Sequence, residues 1–466
     1  MATRRRERMS AVDTAWLRMD RPDNLMMICC VLTLRDRVRF ERLRNIVDKR
    51  FLRYARFRQK PVEDNGVTYW ETAADFDIDQ HVTRVTLPGA AGKKELQAYV
   101  SRHVSRPLDP SRPLWKFHVV ENYLGGSALI AQIHHCYADG IALTQVLLSM
   151  TDTRRRQAAT PAPAAKAARA PRHAATQATV LSSLPDAMKM AMKVGAVIMK
   201  KGVSIWQDPA QAVELATQGT AVAGEIAKLA LMEKDSPTRF KGKPGVAKRV
   251  AWADPIPLAE VKSIGRALDA SVNDVLLSCV AGALREYLVR KGDPVRGVVV
   301  RALVPVNLRP LEKAHELGNQ FGLVFLDLPV GIENPVKRLT AVRANMGALK
   351  ASYQPVLALG LLAAMGAGPK VLQDQLLNAL SRNATAVMTN VPGPQQPLFM
   401  AGAGIDSMMV WVPQSGDIGM GVSILSYDGQ VQFGVLTDRG LCPDPARISA
   451  RFAPEFAKLQ AAVRAA

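Results

Sequence analysis

Residues 157–179 hold eleven Ala and three Pro, and Arg154, Arg155, Arg156, Lys166, Arg169 and Arg172 lie in and beside them. No apolar residue recurs there with the period of a helix or a strand. The stretch therefore has no face to bury and reads as a flexible linker. A chain of 466 residues divided at that point leaves two parts, each long enough for its own core. Strand-like apolar runs alternate with helix-like periodicities on both sides. This predicts an α/β class, mixed sheets with helices in each half. The expected boundaries are an N-terminal domain over 1–150, a linker with amphipathic helices over 151–235, and a C-terminal domain over 236–466.

The chemistry concentrates at the end of one predicted strand. The apolar run 128–133 leads into His134-His135-Cys136-Tyr137-Ala138-Asp139-Gly140, and a helix is expected over 141–150. Two imidazoles thus stand where a strand meets a loop, and neutral imidazole is a usable base near pH 7. Asp139 has two readings: it orients an imidazole directly, or it locks the loop that carries the histidines. Strands at 116–121 and 127–135 form a hairpin across Leu124-Gly125-Gly126. Helices are expected at 40–51 and 94–104 on the N-terminal side. On the C-terminal side they are expected at 258–268, 334–350 and 356–380, with one more at the end of the chain. Ser271-Val272-Asn273-Asp274 carries a capping-box pattern and opens a further helix through Leu288, which gives Asp274 a structural role and leaves Asn273 free to face a channel. A second hairpin is expected across Asp428-Gly429.

Several separated motifs add up to a family resemblance. They are Asp13-x-x-Trp16 with Pro22-Asp23-Asn24, Pro113-Leu114-Trp115, the His-His-x-x-x-Asp-Gly of 134–140, Asn273-Asp274, Val304-Pro305-Val306-Asn307-Leu308-Arg309, Gly318-Asn319-Gln320-Phe321-Gly322 and Thr389-Asn390-Val391-Pro392-Gly393-Pro394. Together they resemble the bacterial wax ester synthase/acyl-CoA:diacylglycerol acyltransferases, part of the wider CoA-dependent acyltransferases that carry His-x-x-x-Asp. The resemblance spans nearly all the chain outside 151–185. It implies two chloramphenicol-acetyltransferase-like domains joined by a linker, with a substrate tunnel between them. The implied reaction moves a long-chain fatty acyl group from acyl-CoA, a co-substrate, to a fatty alcohol or diacylglycerol, with no cofactor and no metal. By the same resemblance His135 is the general base, His134 a support and Asp139 a structural, orienting residue that pairs with an arginine, expected to be Arg309. Gly140 is expected to let the chain turn tightly at the helix start. Trp115, Asn273, Asp274 and Arg309 are candidate substrate-binding or supporting residues, although Trp115 reads equally as a core residue delivered by a rigid turn.

Composition narrows the partners. The net charge of +20 favours an anionic partner. No zinc-finger spacing, RNP-type motif or P-loop supports nucleic acid, so an anionic membrane or lipid-inclusion surface is expected. Residues 185–206, with Lys189, Lys193 and Lys200 grouped on one side, read either as a membrane-surface helix or as a helix packed on the protein. The best candidate for a membrane span, 356–368, is too short at roughly 20 residues required. Asp13, Arg18 and Asp20 interrupt any signal-peptide core after the basic start. The five cysteines are unpatterned and suit a reducing cytoplasm, so the expected location is cytoplasmic, peripheral to the inner face of the membrane and lipid inclusions. Two rival chemistries at the motif are a metal held by His134, His135 and Asp139, and Cys136 as a nucleophile; neither has supporting spacing. A related acyltransferase with another acceptor or a carrier-bound donor, and a non-catalytic lipid-surface protein, are the alternative functions.

Overall fold

Ser10 has the short polar side chain that a helix start needs, and its hydroxyl accepts the Asp13 N–H at 3.1 Å. In the computed structural model, which describes residues 6–154, 232–309, 316–350, 352 and 354–465, a short strand β1 (Arg6–Arg8) precedes this cap. The cap opens α1 (Ala11–Arg18), which is followed by β2 (Met27–Leu34). The helix expected at 40–51 is α2 (Phe40–Ile46) followed by a wider π turn, Val47–Phe51. Strands β3 (Gln59–Asp64) and β4 (Val67–Thr72) form a small sheet with β1. Then come β5 (Val82–Val85), α3 (Lys93–His103), β6 (Trp115–Tyr123), β7 (Gly126–His134) and α4 (Gly140–Ser149). The β6–β7 hairpin turns through Leu124 and Gly125, both at positive φ, +46° and +80°. This is the turn whose twist matches a two-residue hairpin.

The second half runs β8 (Lys248–Trp252), β9 (Ile256–Pro257), α5 (Leu258–Ala267), α6 (Val272–Arg290), β10 (Val300–Asn307) and β11 (Phe321–Leu328). It continues with α7 (Pro335–Lys350), α8 (Gln354–Ala367) and α9 (Lys370–Ser381). The single helix expected over 356–380 is thus two helices. Pro369 lacks the N–H needed to carry the ladder through, and it serves as the N-cap of α9 instead. Next are β12 (Ala386–Pro392), β13 (Phe399–Met400), β14 (Ala403–Trp411), β15 (Met420–Tyr427), β16 (Gln430–Asp438) and α10 (Pro445–Ala465). The Asp428-Gly429 turn between β15 and β16 also has two positive φ values.

Two large mixed sheets result. One has the order β11-β10-β12-β15-β16-β8, with β9 on β16; the other has β13-β14-β2-β7-β6-β5. Each carries parallel and antiparallel neighbours. The second sheet contains a feature that sequence alone does not announce. Strand β14, from the C-terminal half, crosses over and pairs antiparallel with β2, Val410 opposite Cys30. Residues 399–411 therefore complete the N-terminal sheet rather than the sheet of their own half. Because it is covered on both sides, β2 is buried along its whole length, an apolar run without alternation.

A second tie joins the halves: α1 lies against α8. The backbones come so close that a Cβ at Gly366 would sit 1.6 Å from the Ala11 carbonyl oxygen. Only glycine fits there, and its effect is to seat Trp16 of α1 over α8. The expected linker 157–179, the expected helix at 185–206, Arg155 and Arg156 lie outside the described residues.

Candidate active site

The β6–β7 hairpin ends with both histidines buried, each about 3% exposed. The backbone holds them from two sides. The His134 N–H donates to the Leu114 carbonyl at 2.9 Å, and the His135 N–H donates to the Met26 carbonyl at 2.7 Å. Tyr137, two residues on, accepts the Leu114 N–H through its hydroxyl and donates to the Gln59 carbonyl. The Pro113-Leu114-Trp115 element thus supports the histidine loop through its backbone. The Trp115 side chain itself does not line the site. It is core, with its indole N–H on the Phe57 carbonyl at 2.7 Å and its ring stacked on His81.

Asp139 caps α4 and locks the loop. One carboxylate oxygen accepts the Ala142 N–H at 2.9 Å. The other accepts the Gln320 N–H at 3.0 Å and pairs with Arg309 at 2.8 Å. The Arg309 guanidinium is 0% exposed and also donates to the carbonyls of Glu316 and Gly318. Ala138 and Gly318 form a single parallel bridge alongside. Of the two readings of Asp139, the structure shows the loop lock: its hydrogen bonds go to the helix start, Arg309 and Gln320. The pair also clamps segment 316–320 of the C-terminal half onto the histidine loop.

Gly140 departs from its expected role. Its φ is not in the left-handed region and a Cβ there would meet nothing within 4 Å. The turn does not need glycine; the missing side chain leaves open space at the first residue of α4. Asp274 is buried and makes the expected capping box, its carboxylate on the Ser271 N–H at 2.8 Å. Asn273 is exposed and accepts a 2.6 Å hydrogen bond from Asn390.

The two imidazoles have different surroundings. His134 Nδ1 accepts the Cys136 N–H at 3.2 Å, and its Nε2 lies 3.7 Å from an Asp20 oxygen. The His135 ring is packed by aromatic stacking. Trp16 lies over it with ring centroids 4.1 Å apart and planes 22° apart, and Phe321 sits 5.5 Å away. His135 Nδ1 has no hydrogen-bond partner. Its carbonyl accepts the Asn319 side-chain N–H at 2.9 Å, and the same amide nitrogen donates to Asp13 at 2.7 Å. Burial pushes the Asp13 carboxyl upward. The link Asp13–Asn319–His135 and the Trp16 stack were not assigned from sequence. The signal was present: Asp13 and Trp16 are three apart on one helix and so share a face.

Burial lowers the His135 pKa to about 4, with Asp139 partly opposing it. The ring is therefore neutral at pH 7. Cys136 is fully buried and its thiol is pushed well above its ordinary value, which removes the thiolate a nucleophile needs. Among the described residues, no group of three or more His, Cys, Asp or Glu side chains is placed to hold a metal.

His118 shares the same depression, to about 4, through burial against Tyr99, Thr83 and Gln132. The sign follows directly. The unfolded chain takes up these protons near pH 6.5 and the folded chain only near 4, so stability is complete above 6.5 and falls as pH drops through that window. Each such histidine costs on the order of 1.4 kcal/mol per pH unit there. Denaturant midpoints measured at pH 7, 6 and 5 are expected to fall, and His118→Gln to flatten the slope. A midpoint independent of pH over this range contradicts the burial argument.

Beside the Trp16–His135 stack lies a narrow apolar cavity of about 70 Å³. Trp16 of α1 and its C-cap Met19, Leu323 and Phe325 of β11, and Leu357 and Leu361 of α8 are among its walls. It is smaller than the roughly 150 Å³ that holds a benzene-sized ligand, so a ligand of that size must part these side chains to enter. A larger hollow of about 710 Å³ opens between α5 and the start of α6, lined by Lys262, Arg266 and Ser271. Neither cavity has a wall from the histidine loop, but the smaller one is lined by Trp16, whose ring stacks on His135.

Comparison with known proteins agrees with this geometry. Residues 9–276 match the wax ester synthase/diacylglycerol acyltransferase catalytic domain, and 317–460 match the C-terminal domain of the same family. The probable diacylglycerol O-acyltransferase of Mycobacterium tuberculosis is 27% identical over 419 residues, 87% of this chain and 84% of the relative. A putative diacylglycerol O-acyltransferase of the same organism is 30% identical over 393 residues, 81% of this chain and 74% of the relative. The wax ester synthase/diacylglycerol acyltransferase from Marinobacter aquaeolei aligns over 98% of this chain and 100% of its own, with a TM-score of 0.68 at 20% identity. The fold is the two-domain, chloramphenicol-acetyltransferase-like one.

Proposed function

The chain belongs to the wax ester synthase/diacylglycerol acyltransferase family, and from that membership we propose that it moves a long-chain fatty acyl group from acyl-CoA to a fatty alcohol or diacylglycerol by direct transfer, with His135 as general base. It is an acyltransferase of wax ester and triacylglycerol synthesis. The observation that carries the base assignment is a neutral, fully buried imidazole stacked on a wall of the apolar cavity.

The steps follow from the site. The acceptor hydroxyl gives its proton to His135 as its oxygen attacks the thioester carbonyl. Charge moves to the carbonyl oxygen. When the tetrahedral centre collapses, the C–S bond breaks and the imidazolium returns the proton to the CoA thiolate. Stacking on Trp16 fixes the ring in place of a carboxylate partner. Asp139 acts one step back, because it holds the loop rather than the imidazole. Exclusion of water by the Trp16, Phe321 and α8 side chains protects the thioester from hydrolysis.

Purified enzyme given long-chain acyl-CoA with hexadecanol or with a diacylglycerol is the test. Ester formation from either acceptor supports the reading. Esterification of neither acceptor overturns it and leaves a different acceptor or a non-catalytic role.

The same reading places the enzyme in the cytoplasm, at an anionic membrane or lipid-inclusion surface. The net charge of +20 supports this. Among the described residues, no single helix is long and apolar enough to cross a membrane. Each basic residue near an anionic leaflet contributes roughly 1 kcal/mol. Sedimentation with anionic vesicles is therefore expected, weakening as salt shortens the Debye length from about 10 to 3 Å. Equal binding to neutral vesicles at both salt levels contradicts it.

A further inference from the structure

Direct acyl transfer needs a donor for the carbonyl oxygen as it gains charge, and most donors at the histidine loop are already engaged. The Arg309 guanidinium is turned onto Asp139 and two carbonyls. The Asn319 amide nitrogen spends its two hydrogens on Asp13 and on the His135 carbonyl. Cys136 N–H goes to His134 Nδ1, and the Ala142 N–H to Asp139.

Three buried donors near this place have no hydrogen-bond partner among the described residues: His134 Nε2, Arg309 Nε and the Trp16 indole N–H. His134 Nε2 lies 3.7 Å from Asp20, and Arg309 Nε belongs to the guanidinium held on Asp139, whereas the Trp16 N–H sits on the ring that stacks on His135 and lines the cavity. Trp16 is 5% exposed, yet its indole N–H has no hydrogen-bond partner among the described residues. A buried, unpaired N–H is destabilising and rare in folded proteins. Trp16 occupies a position that gives this orphan a use. Its ring is stacked 4.1 Å from the His135 ring and it forms a wall of the apolar cavity. Stacked rings present their in-plane edges side by side. One edge carries the base that takes the acceptor's proton, and the other carries a donor in a site that excludes water. Trp411 also has an unpaired indole N–H, but it packs beside Trp252, away from any imidazole.

We propose that Trp16 is a catalytic residue: its indole N–H donates a hydrogen bond to the acyl carbonyl oxygen and stabilises the oxyanion that forms there. The proposal rests on His135 being the base. Both groups then act on one tetrahedral centre, His135 through the acceptor oxygen and Trp16 through the former carbonyl oxygen. In a dry, apolar site one such donor is worth roughly 10²–10³-fold in rate. The indole N–H keeps its proton throughout.

Trp16→Phe keeps an aromatic ring for the stack and removes the N–H. Full-length Trp16→Phe is expected to lose about 10²–10³-fold in kcat, with the KM for acyl-CoA within a few-fold. Trp16→His, which restores a ring N–H, is expected to recover part of the loss. The second readout is the carbonyl stretch of acyl-CoA labelled with ¹³C at C1, bound without acceptor. It is expected at lower frequency in wild type than in free acyl-CoA, and at the free frequency in Trp16→Phe. An unshifted carbonyl in wild type overturns the proposal even where Trp16→Phe fails to fold, and so does a Trp16→Phe enzyme with normal kcat. The infrared reading does not involve the base, so a failure there is separable from a failure of the His135 assignment, which only the His135 variants test.

Discussion

His135→Ala is expected to turn over roughly 10²–10⁴-fold more slowly than wild type, the usual worth of a positioned general base. No other group at the motif is placed to take its proton. His134 Nδ1 already accepts the Cys136 N–H, and the Asp139 oxygens are bound to Ala142, Gln320 and Arg309. His134→Ala should therefore lose less. Cys136→Ser should keep most activity, because its thiol is buried and pushed far above neutrality. Turnover of the three variants, with thermal unfolding as a check on folding, tests the order. Intact mass after acyl-CoA alone tests the direct route. An acyl adduct that vanishes in Cys136→Ser together with activity would overturn direct transfer. A dead His134→Ala beside an active His135→Ala would move the base to the neighbouring residue. The acid limb of kcat/KM is a further check, since with a pKa of about 4 His135 stays neutral well below pH 6.5.

Arg309→Met is expected to destabilise the protein by about 3–5 kcal/mol, the cost of leaving one partner of a buried pair uncompensated. Asp139 is 5% exposed and Arg309 0%, so water cannot replace the lost partner. The change also strands the carbonyls of Glu316 and Gly318. Asp139→Asn should cost a similar amount, now with the guanidinium left unpaired. Combining the two substitutions should cost less than their sum, because neither buried charge then remains. Urea unfolding of the four proteins measures the coupling. Strict additivity would mean that the pair is not a unit. Activity should fall with stability here, since segment 316–320 is released from the histidine loop and Asn319 no longer holds the His135 carbonyl.

What the sequence showed was mostly local. The hairpin ending in the two histidines, the Ser271–Asp274 capping box and the Asp428-Gly429 turn were readable because each rests on residues a few positions apart. The Asp139–Arg309 contact was expected only from family resemblance, as nothing in either segment states that they meet. Trp115 ended in the core and Gly140 in ordinary backbone, because motif membership does not say which way a side chain faces. The break at Pro369 was available and missed: the apolar run on either side outweighed one proline. The Trp16–His135 stack and the crossing of β14 depend on contacts between distant segments. An apolar strand reads the same whichever sheet it joins, so no local pattern assigns Ala403–Trp411 to β2.

That crossing strand sets a timetable for synthesis. Until residue 411 has left the ribosome, β2 is the bare edge of the N-terminal sheet, and its sequence, Met-Ile-Cys-Cys-Val-Leu-Thr-Leu, carries no charge or proline to guard it. At about 5–20 residues per second, that edge waits on the order of tens of seconds for its partner. The nascent N-terminal half is thus expected to present that edge throughout translation, and a truncation before residue 399 to make the exposure permanent.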